Sequence, residues 1–296
     1  MLGEKELKVA LAIPTYNAGN EFRTVLTLIN QQRNLVDAIK IIDSTSVDNT
    51  VAIAKEFNCD IEVIDQSEFS HGGTRRKIAI EYSKKGYDYL IFMTQDVYLQ
   101  NRALSKLIDY IVSDSQLGVV YGRQEVDLST GNLFEYYARS FNYSSHSYTR
   151  TKADIREQGI KTIFSSDAFA IYNLSILKQI DFFEDTTEVS EDMLIAHKII
   201  NAGYSVGYCS EAKVYHTHNY NVLDEYKRYK EIGKFYKKNS GILDNYGKTS
   251  SNGIKLVLGE IKFLIAKGKI LLIPKSVIRN SAKFIGHKVG YYKTGK

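Results

Sequence analysis

Cysteine is nearly missing from this chain. Its 296 residues include only Cys59 and Cys209, too few for a disulfide framework or a cysteine-based zinc site. A reducing compartment is the expected setting. Proline is as rare, at 2 residues, and the 20 glycines follow no repeat, which excludes collagen-like and proline-rich architectures. No run of about 18 uncharged apolar residues occurs, so no transmembrane helix is expected. The polar start MLGEKELK precedes only a short apolar stretch, so no secretory signal peptide is expected either. What is present is a globular composition: 44% hydrophobic and 25% charged residues exclude a wholly disordered chain. At roughly 100–200 residues per domain, the length predicts one large domain or two modest ones.

Charge is distributed unevenly. The net charge is +5, yet residues 248–296 hold eleven Lys or Arg and one acidic residue, Glu260. Residues 1–247 hold 28 basic and 33 acidic residues, a net of −5. A basic tail on a mildly acidic body points to an anionic surface as its neighbour.

The first half alternates two kinds of segment. VALAIPTY (9–16), AIKIIDSTS (38–46), CDIEVID (59–65) and DYLIFMTQDV (88–97) read as strands; EFRTVLTLINQQ, NTVAIAKEF and the segment from Arg75 to about Lys85 read as helices. Continuous apolar strands alternating with helices predict a parallel sheet covered on both faces. Ligands of such sheets bind beyond the carboxyl ends of the strands. That rule selects Thr15–Asn17, Asp43–Thr45 and Thr94–Asp96. Residues 70–74 (SHGGT) read as loop punctuation, and 119–190 as a less regular region rich in Tyr, Ser and Thr. SEDMLIAHKIINA (190–202) predicts a helix with Ser190 as N-cap and Gly203 beyond its end.

Several residues carry chemistry with two readings each. Asp96 ends an apolar strand, where a carboxylate binds a cation facing a diphosphate or caps the next turn. Asp43 has the same two readings. Glu191-Asp192 is either a catalytic pair or an acidic first turn. His216 and His218, two apart on an extended segment, point the same way and are either metal ligands or surface histidines. HGGTRR combines glycines that permit close backbone approach with arginines suited to phosphate, but lacks P-loop spacing.

The order of these segments resembles glycosyltransferase family 2, and most closely its rhamnosyltransferase-like branch. The matches are AIPTYN (12–17), IIDSTSVDNT (41–50), FSHGGTRR (69–76), TQDV (94–97), SSDAFAIY (165–172), SEDMLIAHKIINAGY (190–204) and VYHTHNY (214–220). They cover about residues 8–240. FSHGGTRR, the Gln-Asp pair and Ser-Asp-Ala single out that branch.

The resemblance implies an α/β GT-A fold: a Rossmann-like mixed sheet flanked by helices over 1–220, with a nucleotide-binding part to about 118 and an acceptor part beyond it. Residues 221–296 then form a helical, basic extension. It implies that Thr15, Tyr16 and Asn17 border the nucleotide, that Asp43 accepts the imide N–H of its base, and that Arg75 lies near the diphosphate. Gln95-Asp96 replaces the usual Asp-x-Asp, with Thr94 at the first aspartate, so Asp96 carries most of the binding of Mn2+ or Mg2+. His216, or alternatively His218, is a further ligand. Asp192 is the catalytic base, and Ser166, Asp167 and Glu191 lie on the acceptor side.

The implied reaction is inverting transfer of L-rhamnose from dTDP-β-L-rhamnose to a glycan or polyprenyl-linked saccharide. The alternatives are a UDP-hexose donor or a non-catalytic nucleotide-sugar scaffold. A nucleotidyltransferase would want a basic, glycine-rich loop after its first strand, and AIPTYNAGN has no positive charge. No motif for nucleic acid is present. The expected place is cytoplasmic, at the inner face of the cell membrane, with the basic tail on anionic lipid.

Overall fold

The apolar run at 9–15 folds as β1 (Val9–Thr15), buried along nearly its whole length. The computed structural model describes residues 7–129, 131–185, 189–247 and 250–293. After β1 come α1 (Phe22–Asn30), β2 (Ala38–Asp43), α2 (Thr50–Glu56), β3 (Asp60–Val63), α3 (His71–Lys84), β4 (Tyr89–Met93) and β5 (Tyr98–Leu99). The chain continues through α4 (Ala103–Val112), β6 (Leu117–Glu125), α5 (Leu133–Asn142), β7 (Tyr148–Arg150), α6 (Ile155–Gln158), β8 (Phe169–Asn173) and α7 (Leu174–Gln179). It ends with α8 (Glu191–Asn201), β9 (Ser205–Tyr215), α9 (Val222–Lys238), α10 (Ser240–Leu243), α11 (Ser250–Ala266) and α12 (Ile273–Lys293).

These elements form two compact units. The first runs through Gln124 and adds Ser145–Lys152 and Ile163–His216; the second takes Glu125–Ser144, Ala153–Thr162 and the chain from Thr217 onward. The division therefore interleaves in sequence, where a single boundary near 220 was expected.

The strands run in the order β3-β2-β1-β4-β8-β6-β9-β5, with β7 beside β9. β3, β2, β1 and β4 are parallel, as the alternating pattern predicts. β8 then pairs antiparallel with both β4 and β6, so the whole sheet is mixed. The expectation of an irregular region over 119–190 is corrected here. β6 and β8 sit in the middle of the sheet and are buried along most of their length. Their apolar cores are short and lie between long Tyr- and Ser-rich stretches, which dilutes the periodic signal.

Two local readings also change. His71, Gly72 and Gly73 belong to the first turn of α3, and Ser70 caps it by accepting the Gly73 N–H at 3.0 Å. Ser190 does not cap α8 through its side chain; its backbone is left-handed, with φ 58°.

In the second unit α9 and α12 lie against each other through glycines. A Cβ on Gly286 or Gly290 would run into the carbonyls of Tyr226 or Lys230, and one on Gly233 into that of His287. Arg279 is buried, donating to Glu225 Oε1 at 2.6 Å and to the Tyr220 carbonyl at 2.6 Å. Lys283 adds a second cation 3.3 Å from the same Glu225 oxygen. Among the described residues, no helix is long and apolar enough to cross a membrane.

Candidate functional site

The carboxyl ends of β1, β2 and β4 meet in the first unit, where the parallel-sheet rule puts a ligand. Gln95 joins two of them: it accepts the Tyr16 N–H at 2.8 Å and donates to the Tyr16 carbonyl at 3.1 Å. Asn17, at φ 45°, donates its N–H to Ser46 and accepts from the Val47 N–H through its side chain. Tyr16 and Asn17 are exposed on this rim, while Thr15 is buried. Asp43, expected at the nucleotide base, ends β2 and is buried. It is closed to solvent and accepts from Thr15 Oγ1 at 2.8 Å, the Ser46 N–H at 2.7 Å and Ser46 Oγ at 2.6 Å. Its carboxylate binds the two loops together rather than facing outward.

Just past β4, Asp96 is partly exposed, at 43% of its side chain. The chain leaving β9 brings His216 to it, with Nε2 3.4 Å from Asp96 Oδ2. His218 follows two residues on, at the start of the second unit's last segment. A carboxylate and an imidazole in contact suit a divalent cation, and the Thr94 hydroxyl, at the position of the first aspartate, adds no charge. That hydroxyl is buried and has no hydrogen-bond partner among the described residues.

A second cluster surrounds Arg75. Its guanidinium is 2% exposed, with Nε 2.8 Å from Asp167 Oδ2 and Nη1 3.1 Å from Glu191 Oε1, and it lies over the Phe92 ring. Arg75, expected near the diphosphate, is thus held through Nε and Nη1 by two buried carboxylates. Burial disfavours the Arg75 charge, but Glu191 and Asp167 outweigh that and raise its pKa. Asp167 also accepts from the Tyr172 hydroxyl. Burial, offset in part by Arg75, pushes the Asp167 carboxyl up to about 6. Asp192, beside it at the start of α8, is raised well above the usual carboxylate range by burial first and by the Glu191 and Asp167 charges next. Two carboxylates contact the one guanidinium and Asp192 adds a third charge near it, so a proton is readily held there.

Gln124 and His71 belong to this region and were not anticipated. Gln124, near the end of β6, touches both His216 and Ser166. The His71 ring lies 3.9 Å from Glu191. Gln124 lies in no motif, whereas its partners Ser166 and His216 lie in SSDAFAIY and VYHTHNY, and His71 in FSHGGTRR.

A family model described as glycosyl transferase family 2 matches residues 10–181, more than half of the chain. The chain belongs to glycosyl transferase family 2. The protein is thus a glycosyltransferase with a GT-A fold. It is 40% identical over 285 residues to the O-antigen chain rhamnosyltransferase RfbN of Salmonella typhimurium, covering 96% of this chain and 90% of that one. It is 37% identical to the O-antigen chain rhamnosyltransferase WbaN of Salmonella anatum, covering 95% and 88%. In fold it is similar to the mannosyltransferase PcManGT of Pyrobaculum calidifontis, solved with GDP-Man and Mn2+: TM-score 0.61, 12% identity, 97% of this chain and 88% of that one. The family match ends before Asp192 and the histidines, whereas the curated relatives extend across them.

Proposed function

We propose that this glycosyltransferase transfers L-rhamnose, with inversion, from dTDP-β-L-rhamnose to a hydroxyl of a growing cell-surface polysaccharide, free or polyprenyl-linked. The observation that carries the reading is the identity, across nearly the full chain, to two enzymes both named O-antigen chain rhamnosyltransferases.

In this reading Tyr16, Asn17 and Gln95 form the nucleotide rim, with buried Thr15 and Asp43 bordering it from behind. Asp96 with His216 and His218 holds a divalent cation, and the mixed nitrogen and oxygen set favours Mn2+ over Mg2+. When bound, that cation supplies positive charge to the leaving diphosphate. Asp192 takes the proton of the attacking hydroxyl, and its raised affinity for protons suits that task near neutral pH. Asp167 and Glu191, tied to Arg75, hold the acceptor side, together with Ser166. Attack opposite the leaving group with one base inverts the anomeric centre.

A donor screen tests the substrate. With dTDP-L-rhamnose, UDP-glucose, UDP-galactose and UDP-N-acetylglucosamine compared by donor hydrolysis, dTDP-rhamnose is expected to turn over fastest. A UDP-hexose in first place would overturn the rhamnose assignment.

The same reading places the enzyme at the cytoplasmic face of the cell membrane through its C-terminal extension. Between α11 and α12, Ile270 and Leu271 are 59% and 94% exposed, flanked by exposed Lys267 and Lys269. Glu260, the one acidic residue of 248–296, is buried against Ser276 and Asn280. Apolar tips among lysines suit an anionic bilayer surface. Co-sedimentation with anionic vesicles at low salt is expected for the full chain and lost with paired Ile270→Glu and Leu271→Glu changes. Equal sedimentation of both proteins would remove the membrane role of this tip.

A further inference from the structure

We propose that Gln124 is a positioning residue that sets the tautomer of His216 and so turns its Nε2 lone pair toward the cation site. The proposal rests on the reading above that Asp96 and His216 hold a divalent cation.

Gln124 is 2% exposed, and its side-chain amide spans two partners. Its Nε2 donates to Ser166 Oγ at 2.7 Å, and its Oε1 lies 2.8 Å from His216 Nδ1. An amide oxygen only accepts, so Nδ1 must carry the proton. In a neutral imidazole the other nitrogen, Nε2, is then bare. That nitrogen is the one 3.4 Å from Asp96 Oδ2. A lone pair facing a carboxylate oxygen is unfavourable until a cation comes between them, and a bare Nε2 is what a divalent ion requires.

Ser166 completes the argument. A glutamine amide has two nearly isosteric orientations, and the reversed one would present NH2 to Nδ1 and impose the opposite tautomer. In the structure the amide gives its NH2 to Ser166 Oγ and turns its oxygen to Nδ1; the serine hydroxyl, able to donate or accept, anchors the amide in place. The chain Ser166–Gln124–His216 thus crosses from β6 to the segments before β8 and after β9, bringing together residues 42 and 92 positions apart. Hydrogen-bond partners of this kind orient metal-binding histidines and raise their basicity. Their loss typically weakens metal affinity by about 10–100-fold.

The test uses the full chain and two measurements. First, nitrogen-15 spectra of metal-free wild-type protein, at a pH above the ordinary imidazole range, should show His216 as the Nδ1–H tautomer. Gln124→Met should give a mixture. Second, Mn2+ binding by calorimetry should weaken by about 10–100-fold in Gln124→Met. Gln124→Glu, which keeps an acceptor at the same place, should stay within a few-fold of wild type. An Nε2–H tautomer in the wild type overturns the proposal, as does Gln124→Met binding Mn2+ normally while His216→Ala binds it poorly. If His216→Ala also binds Mn2+ normally, the metal reading fails and the proposal falls with it. The wild-type spectrum depends on no variant folding, and Gln124→Glu separates a lost acceptor from a damaged core.

Discussion

Each unit of the molecule buries one arginine against carboxylates, and the two sites differ in their balance of charge. Around Arg75, in the first unit, the carboxylates of Asp167, Glu191 and Asp192 outnumber the single guanidinium. Around Arg279, in the second, Glu225 meets two cations, Arg279 and Lys283. A buried carboxylate with cations in excess holds elements together. Carboxylates in excess of cations raise one another's proton affinity, and they do so here at Asp167 and Asp192. The cation-rich site fastens α12 to the start of α9. The carboxylate-rich one lies where the acceptor hydroxyl is proposed to lose its proton.

Removing the proposed base breaks this contrast most directly. Asp192→Asn should lower kcat by roughly 10²–10⁴-fold, about 3–5 kcal/mol of transition-state stabilisation, with dTDP affinity nearly unchanged. Intact turnover with weakened dTDP affinity would make Glu191-Asp192 only an acidic helix start. In the wild type, the base acts when deprotonated, so kcat/KM should fall as pH drops through the raised Asp192 value. That acid limb lies above the ordinary carboxylate range.

The paired arginine changes sharpen the comparison. Arg75→Met leaves buried carboxylates without their guanidinium and should cost about 3–5 kcal/mol in urea unfolding, whereas Arg279→Met should cost less because Lys283 still meets Glu225. Only Arg75→Met should also move the acid limb, and to higher pH, because Arg75 lowers the proton affinity of Asp192. An equal shift in both variants would erase the distinction.

The smallest effect concerns packing beside the cation-rich site. Gly290→Ala drives a methyl into the Lys230 carbonyl of α9, and overpacking of that kind costs about 1–3 kcal/mol, partly offset by better helix propensity. Thermal unfolding should register the loss, and the pH profile should not change.

Much of the parallel half was legible from residues alone. Long apolar runs ending in polar clusters marked β1, β2 and β4, because parallel strands are buried on both faces and their carboxyl ends must be polar to meet a ligand. The same logic marked Asp96, and the spacing of His216 and His218 marked them as a pair. Segment order then selected the family, since seven short motifs in sequence constrain far more than any one.

Other features depended on partners distant in the chain. Asp43, which the resemblance assigns to the base, is buried against Thr15, 28 positions away, and Arg75 against Asp167 and Glu191. Burial of that kind is set by which strands become neighbours, and β8 reaches β4 only through the antiparallel half that the diluted pattern of 119–190 hides. Gln124 carries no local signal whatever. A lone glutamine acquires meaning only when β6 places it between Ser166 and His216, since a hydrogen bond depends on distance and direction in space and not on position in the chain.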